Sequence, residues 1–246
     1  MKIGLVPMSA KPYHKGHHYL VTTAAEENDK VFLFASISKR IKPDQTPIYG
    51  EDMENIWENY LKKIMPENVE VIFTGGSYGG SPVRSVFEKL SQPESEVADG
   101  EKIEDVYTIY SDVEDTRNNY TVGRVNRKTQ LPPEVSPAQK YFPALLRNGY
   151  VHFAAEKNPK MFERGEGAPD ISGTEMRRKI GAGELEGFKA GLPDHPNLKD
   201  TDKKEIFDIL SSRLQEGGQL YEATFSSTSV DDAIRRSFIN SIIKGS

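Results

Sequence analysis

The sequence predicts an α/β chain built on a doubly wound parallel sheet, with a polar insertion and C-terminal helices attached. Three short apolar runs carry that expectation: Lys2 to Pro7 (KIGLVP), Lys30 to Ile37 (KVFLFASI) and Val69 to Thr74 (VEVIFT). The first and third precede segments with helical apolar spacing, as does the second after a polar stretch. Strands alternating with helices form parallel sheets covered on both faces.

In chain order, His17 to Glu27 places Leu20, Val21, Ala24 and Ala25 on one side of a helix. The second run is apolar on both faces, as a covered strand requires. Asp52 to Met65 repeats Met53, Ile56, Trp57, Tyr60, Leu61 and Ile64 at helical spacing and is ended by Pro66. Ser81 to Leu90 reads as a helix with Pro82 at its first position, where a missing N–H removes no intrahelical bond. From Pro93 to Asp115 the chain is acidic, interrupted by a strand pattern over Val106 to Tyr110. From Arg117 to Arg147 the sign reverses, with Arg117, Arg124, Arg127, Lys128, Lys140 and Arg147 against Glu134. This part, about 92–148, reads as a solvated insertion or as a basic lid over an anionic substrate. Tyr150 to Ala154 forms a further strand pattern. After a Gly-rich loop a helix begins at Ser172 or Thr174 and holds Met176, Ile180 and Leu185. Two helical patterns close the chain, one through Ile206, Ile209, Leu210 and Leu214, the other through Val230, Ala233, Ile234, Phe238 and Ile242. Ser229 and Asp232 resemble a capping box for the latter. The division expected is a domain over 1–195 and a helical appendage over 196–246.

Composition narrows the function. The chain has 246 residues and a net charge of −5, so no global basic surface recommends nucleic acid or an anionic membrane as partner. A phosphate site must therefore be local. The absence of cysteine removes disulfides, thiolate metal sites and a cysteine nucleophile. No apolar run approaches the ~20 residues of a spanning helix, and Pro7 and Lys11 interrupt any secretory pattern, so a soluble cytoplasmic protein is expected.

Chemistry concentrates at two places. Gly4 to Leu20, GLVPMSAKPYHKGHHYL, sets His14 and His17 about Lys15 and Gly16 where the first strand gives way to the first helix. This is the carboxyl edge of the sheet, where open α/β folds bind ligands. Gly16 admits close backbone approach, the helix start offers free N–H groups, and two imidazoles donate to phosphoryl oxygens; Lys11 and Lys15 add charge. A zinc site from His14, His17 and His18 is the competing reading, but no H-E-x-x-H pattern supports it and only His152 and His195 remain. His18 reads as a surface or packing residue. The second place is Asp170 to Ile180, DISGTEMRRKI. Ser172, Gly173 and Thr174 open a helix, and Arg177 one turn in reaches the same anion. Taken alone, this motif reads rather as an ordinary Ser/Thr cap with solvated arginines. GGSYGG, 75–80, lacks the lysine and spacing of a Walker loop and reads as a flexible turn near the nucleotide.

Together, GLVPMSAKPYHKGHHYL and ISGTEMR resemble the HxGH nucleotidyltransferases, the cytidylyltransferase-like superfamily. SGTEMRRKIGAGELEGFKAGLP, HKGH, SISKR and PIYGEDM are most similar to the nicotinamide-mononucleotide adenylyltransferases. The resemblance covers about 1–90 and 150–193. It implies a Rossmann-like sheet and transfer of a nucleoside monophosphate, AMP from ATP being favoured, to a phosphorylated small-molecule acceptor with release of pyrophosphate. It assigns His14, His17, Lys11 and Arg177 to catalysis and Pro7, Met8, Gly16, Ser172, Gly173 and Thr174 to the nucleotide. Lys39 and Arg40 would meet an acceptor phosphate. Mg²⁺ would arrive with the triphosphate, without a protein metal cage. Rival readings are a cytidylyltransferase using CTP, a nucleotide-binding protein without turnover, and an RNA-binding relative of class I aminoacyl-tRNA synthetases. The last lacks a KMSKS-like sequence. Self-association is left open.

Overall fold

The computed structural model describes residues 1–42, 45–122 and 135–212. β1 (Lys2–Met8) forms the centre of a sheet, α1 (Lys15–Glu27) crosses one face, and β2 (Lys30–Ser36) lies parallel beside β1. A small antiparallel pair, β3 (Arg40–Lys42) and β4 (Gln45–Ile48), comes next. α2 (Gly50–Ile56) passes into a π turn at Trp57–Leu61 and a 3-10 turn at Lys62–Ile64, and β5 (Val69–Thr74) pairs with β2. α3 (Pro82–Ala98) crosses the opposite face to β6 (Val106–Ile109), on the other side of β1. α4 (Val113–Thr116) runs into a second π turn, Arg117–Thr121. α5 (Pro137–Tyr141) and α6 (Pro143–Arg147) lead to β7 (Val151–Phe153) beside β6. α7 (Ala154–Lys157), α8 (Gly173–Gly181), α9 (Leu185–Gly191) and a helix over 200–212 complete the described chain.

The five-stranded sheet has the order β5-β2-β1-β6-β7 with every pair parallel, the doubly wound Rossmann-like arrangement expected. Alternation along the strands builds two cores. Leu5, Phe32 and Phe34 face Val86 and Leu90 of α3 and Leu145 of α6. Val6, Val31 and Leu33 face the other way, toward Val21 and Ala24 of α1, Trp57, Met176 of α8 and Phe188 of α9. Period-two patterning thus gives each face its own apolar set. Strand order reverses at β1, so the crevice beyond the carboxyl ends of β1 and β6 is the switch point where such folds take ligands.

Three expectations change. The insertion of about 92–148 is not one detachable polar segment. Its strand pattern is β6, an interior strand of the sheet, and α3 runs through Pro93 to Ala98 with Val97 in the core. Pro93 removes one backbone bond from that helix. The acidic composition misleads because part of it is structural: the Glu94 carboxylate accepts from the Ala144 and Leu145 N–H groups at 2.9 Å, capping α6. Second, GGSYGG closes on itself, Gly75 N–H donating to the Gly79 carbonyl at 2.6 Å, and borders neither of the two cavities at the end of β1. Gly75 is at φ +73°, with Ser38 Oγ where a Cβ would stand, so close approach to the chain after β2 explains this glycine. Third, the helix over 200–212 buries Ile206, Phe207 and Leu210 in the core that holds α9. The last helical pattern, Val230 to Ile242 with its Ser229 cap, lies outside the described residues, as do Arg124, Arg127 and Lys128 of the basic segment.

No helix among the described residues is long and apolar enough to cross a membrane. Leu5, fully buried on the central strand, tests the core assignment. Leu5→Ala is expected to lower unfolding free energy by about 2–5 kcal/mol in urea titrations, through lost transfer energy and the cavity left behind.

Candidate functional site

β1 ends at Met8, and the chain turns through Ala10, at φ +45°, into the start of α1. His14 is the N-cap. Its Nδ1 accepts from the Gly16 N–H at 3.2 Å, while Nδ1 of His17 accepts from the His14 N–H at 3.3 Å, a capping box made of two imidazoles. The rings stack with centroids 3.8 Å apart. A Cβ on Gly16 would stand 3.1 Å from the His14 ring, so a larger residue there would require the ring to shift by a few tenths of an ångström. Burial holds His14 down to about 3, with Arg164 and Arg177 adding to the effect; burial, then His14 and Arg164, holds His17 well below its usual value. Both are neutral at pH 7. Since each Nδ1 accepts, each proton sits on Nε2, leaving two neutral Nε2–H donors.

Arg177 joins the second motif to the first. It is 3% exposed, donates from Nε to Gln45 Oε1 at 2.8 Å and from Nη2 to Thr174 Oγ1 at 2.9 Å, and makes a close contact from Nη1 to the Lys11 carbonyl. Thr46 Oγ1 donates to the Arg177 carbonyl at 2.8 Å, so β4 holds the residue from both ends. A Cβ on Gly173 would stand 3.1 Å from Nη1 of Arg177, and glycine leaves that path open. All three acceptors on the guanidinium are neutral. Burial first and Arg40 second lower Arg177 to about 10. Lys11, buried with Nζ donating to Ser36 Oγ at 2.9 Å, is lowered to about 8 by burial, then by Arg40 and Arg177. Ser172 caps α8, its Oγ accepting from the Glu175 N–H at 3.1 Å. The first backbone N–H groups of α8 have no intrahelical partner.

These groups line one cavity of about 460 Å³ beyond β1. Pro7, Met8, Lys11, His14, Gly16, His17, Ser172, Gly173, Thr174 and Arg177 all border it. So does Arg40, whose buried Nε has no hydrogen-bond partner. Lys39 is exposed and does not border it, so the expected acceptor pair is split: Arg40 stands with the cations of the first cavity. His18 packs instead, bonded to Tyr13 Oη at 3.1 Å and edge-on to His195. Sequence reasoning misses Arg164 and Asp112, which also border the cavity and pair at 2.8 Å, and Asp115. Asp112 and Asp115 come after β6 as HKGH comes after β1, so the same strand-end logic would find them. Arg164 sits in the Gly-rich loop before α8 and carries no local signal.

Among the described residues four cations border the cavity against two carboxylates, and the imidazoles are neutral. The arrangement therefore favours a multiply charged anion, with helix N-termini and Nε2–H donors to meet its oxygens. Among the described residues no group of three His, Asp or Glu could hold a metal ion.

Residues 3–72 match the family model described as the citrate lyase ligase C-terminal domain. That stretch spans β1, the HKGH turn, β2 and most of β5, and the match bears out the resemblance to cytidylyltransferase-like nucleotidyltransferases there. No curated protein sequence matches the chain. Among solved structures, a bifunctional NMN adenylyltransferase/ADP ribose pyrophosphatase from Francisella tularensis aligns at 12% identity and TM-score 0.44, over 92% of this chain and 57% of that one. Thermotoga maritima TmcAL, bound with alpha-thio ATP, aligns at 17% and 0.36, over 88% and 57%. The chain thus spans less than two thirds of either protein, and neither likeness bears on what it binds.

The buried imidazoles set an acid limit on stability. With folded values depressed below the unfolded 6.5, their contribution is complete above that value and lost as pH falls toward the folded values. Denaturation between pH 7 and 4 should show unfolding free energy falling by up to ~1.4 kcal/mol per pH unit for each histidine, and His14→Asn should flatten the slope.

Proposed function

We propose that the chain is an enzyme transferring a nucleoside monophosphate, AMP from ATP, to a small-molecule acceptor with release of pyrophosphate. The observation that carries this reading is the joining of both phosphate motifs in one cavity by Arg177, with an excess of buried positive charge. The match of residues 3–72 to a nucleotidyltransferase-like domain supports it. ATP is favoured over CTP on the HKGH and SGTEMRR resemblance.

The triphosphate occupies the first cavity. Nε2–H of His14 and His17 donates to phosphoryl oxygens, and these donors strengthen as charge builds on the α-phosphoryl group in the transition state. Arg177 and the N–H groups of Gly173 and Thr174 take the β- and γ-phosphates, with Ser172 fixing the turn. Lys11 sits where the acceptor meets the α-phosphate, since its Nζ bonds Ser36, a lining residue of the neighbouring cavity. The acceptor oxygen attacks the α-phosphorus in line, and pyrophosphate leaves toward the cations. Catalysis is positioning plus charge stabilisation, without a covalent enzyme intermediate. Mg²⁺ carried by the nucleotide would supply further neutralisation of the phosphates.

Two measurements test this. In a thermal-shift panel of ATP, CTP, GTP and UTP with Mg²⁺, ATP should give the largest shift, and equal or absent shifts would sink the reading. His17→Ala should reduce pyrophosphate release about a hundredfold while the far-ultraviolet circular dichroism is kept, since it removes one transition-state donor.

Lys11 adds a pH signature. Its depressed value means the free site loses this charge above pH 8, so ATP affinity should weaken by up to ~10-fold per pH unit there. Calorimetric titrations should show that slope, and Lys11→Met should remove it.

A further inference from the structure

Arg164 borders the first cavity but belongs to neither of the two motifs that meet there. The turn that carries it is closed on itself: Gly165 N–H donates to the Ala168 carbonyl at 3.0 Å, Ala168 N–H to the Glu163 carbonyl at 3.2 Å, and Gly167 N–H to the Lys160 carbonyl at 3.0 Å. From this turn the guanidinium crosses to the chain after β6, where Nη2 donates to Asp112 Oδ2 at 2.8 Å. Oδ1 of Asp112 caps α4, accepting from the Asp115 N–H at 2.7 Å, so the carboxylate is itself fixed. Backbone and side chain of Arg164 are both held. Nε and Nη1 of its fork make no hydrogen bond among the described residues.

An ion pair whose arginine side chain is 53% exposed adds little to stability. What it fixes is the place of a charge. The Arg164 charge helps to hold both imidazoles neutral, at His14 ahead of Arg177, whereas Arg40 acts on Lys11 and Arg177, and Arg177 on Lys11. The cavity cations thus fall into two sets: Lys11, Arg40 and Arg177 lie close to one another, and Arg164 stands with the imidazole pair. Arg164 is not in the walls of the second cavity, of about 640 Å³, which adjoins the first and shares Pro7, Met8 and Ser9 with it. Two neutral Nε2–H groups supply hydrogen bonds and no charge. A phosphoryl group that they hold brings a negative charge they leave unbalanced, and the guanidinium beside them balances it.

We propose that Arg164 is a further catalytic residue, meeting the nonbridging oxygens of the α-phosphoryl group together with His14 and His17, and that Asp112 is the positioning residue that holds it there. The inference rests on nucleotidyl transfer in this cavity and adds to that site a residue outside both motifs. The acceptor oxygen forms a bond to the α-phosphorus, the bond from that phosphorus to the α,β-bridging oxygen breaks, and the electron pair leaves with pyrophosphate. A proton carried by the acceptor oxygen passes to water. Charge on the α-phosphoryl oxygens in the transition state is then met by two neutral donors and one cation, already in place before the reaction. Asp112 takes one N–H of the fork and keeps the guanidinium from turning out to solvent.

The test uses the full chain and the variants Arg164→Met, Asp112→Asn and the two combined. In phosphorus NMR of bound α,β-methylene-ATP with Mg²⁺, Arg164→Met should move the α resonance and leave β and γ in place. Calorimetry should show AMP bound about tenfold more weakly by Arg164→Met, with the affinity for inorganic pyrophosphate changed less than about twofold. Over a panel of phosphorylated alcohols and nucleosides, pyrophosphate release from ATP should fall about a hundredfold in kcat with the KM for ATP changed less than about threefold, and added guanidinium ion should restore at least ~10-fold of the rate. Arg164→Lys, which keeps the charge without the fork, should lie between wild type and Arg164→Met. Asp112→Asn should lower kcat about tenfold by itself and no further in Arg164→Met, as expected of a residue that acts through another. A shift confined to the β or γ resonance, pyrophosphate weakened as much as AMP, or an unchanged kcat overturns the assignment of Arg164 while leaving nucleotidyl transfer standing. Additive losses in the combined variant overturn the part given to Asp112. Absence of ATP binding by the unsubstituted chain would instead be a failure of the nucleotidyl-transfer reading.

Discussion

One guanidinium holds the site together. Arg177 reaches the carbonyl of Lys11 on the β1–α1 turn, Gln45 on β4 and Thr174 at the start of its own helix, and its carbonyl is held by Thr46. Residues 166 positions apart in the chain thereby share one cavity wall. A buried arginine whose described partners are all neutral acceptors is expensive to desolvate, and no carboxylate among the described residues bonds to it. The packing of α8 through Met176 and Ile180 keeps it in place, and the charge left over is what an anionic substrate would neutralise. Folding and binding are coupled through the same side chain.

The imidazoles contribute by the opposite route, staying neutral. A serine at the N-cap would satisfy the same N–H group, but its hydroxyl lacks a second, rigidly placed donor. In the His14–His17 box, capping fixes each ring through Nδ1 and, by fixing the tautomer, aims the chemistry through Nε2. In the proposed reaction, local helix geometry and phosphate recognition would be one arrangement. Burial alone would depress the histidines; Arg164 pushes both the same way and Arg177 adds to the effect on His14, so the positive cavity secures the neutrality of its own donors.

Much of the fold and of the first cavity is legible in the sequence because it is local. Val6 and Leu5 alternate, HKGH comes after a strand, and SGTEMR opens a helix, so each can be read within a few residues. The misread features depend on distant pairing. β6 is recognisable as a strand, but its place beside β1 depends on register with Lys2 to Leu5, and an acidic flank hides it. Arg164 enters through loop geometry, and its pairing with Asp112 spans 52 positions. Arg40 stands out in the sequence by its charge, but its neighbours in the cavity come from three other elements, and these decide which ligand part it meets. The second cavity has no motif at all, because its walls come from β1, β2, α3, α4 and α5 together.

Two π turns lie at the flanks of these cavities, and each places a large aromatic side chain. Such a turn inserts a residue and rotates the succeeding side chains about the helix axis. At Trp57–Leu61 the turn opens on Trp57, which packs edge-on to Tyr13 at 5.0 Å, and Tyr13 stacks on His17 at 5.7 Å, so α2 backs the imidazole pair. At Arg117–Thr121 it carries Tyr120, which packs on Phe87 at 5.7 Å and forms part of the wall of the second cavity. Both aromatics are fully buried, and Trp57 Nε1 and Tyr120 Oη are both without a hydrogen-bond partner. A regular helix and a phenylalanine would avoid that penalty, which for a buried polar atom is about 1–3 kcal/mol. Its presence at both flanks fits a fold that gives up some stability for placement: Trp57 supports the His14–His17 pair from behind, and Tyr120 shapes the neighbouring cavity. The end of β1, shared by both cavities, is where those two supports meet.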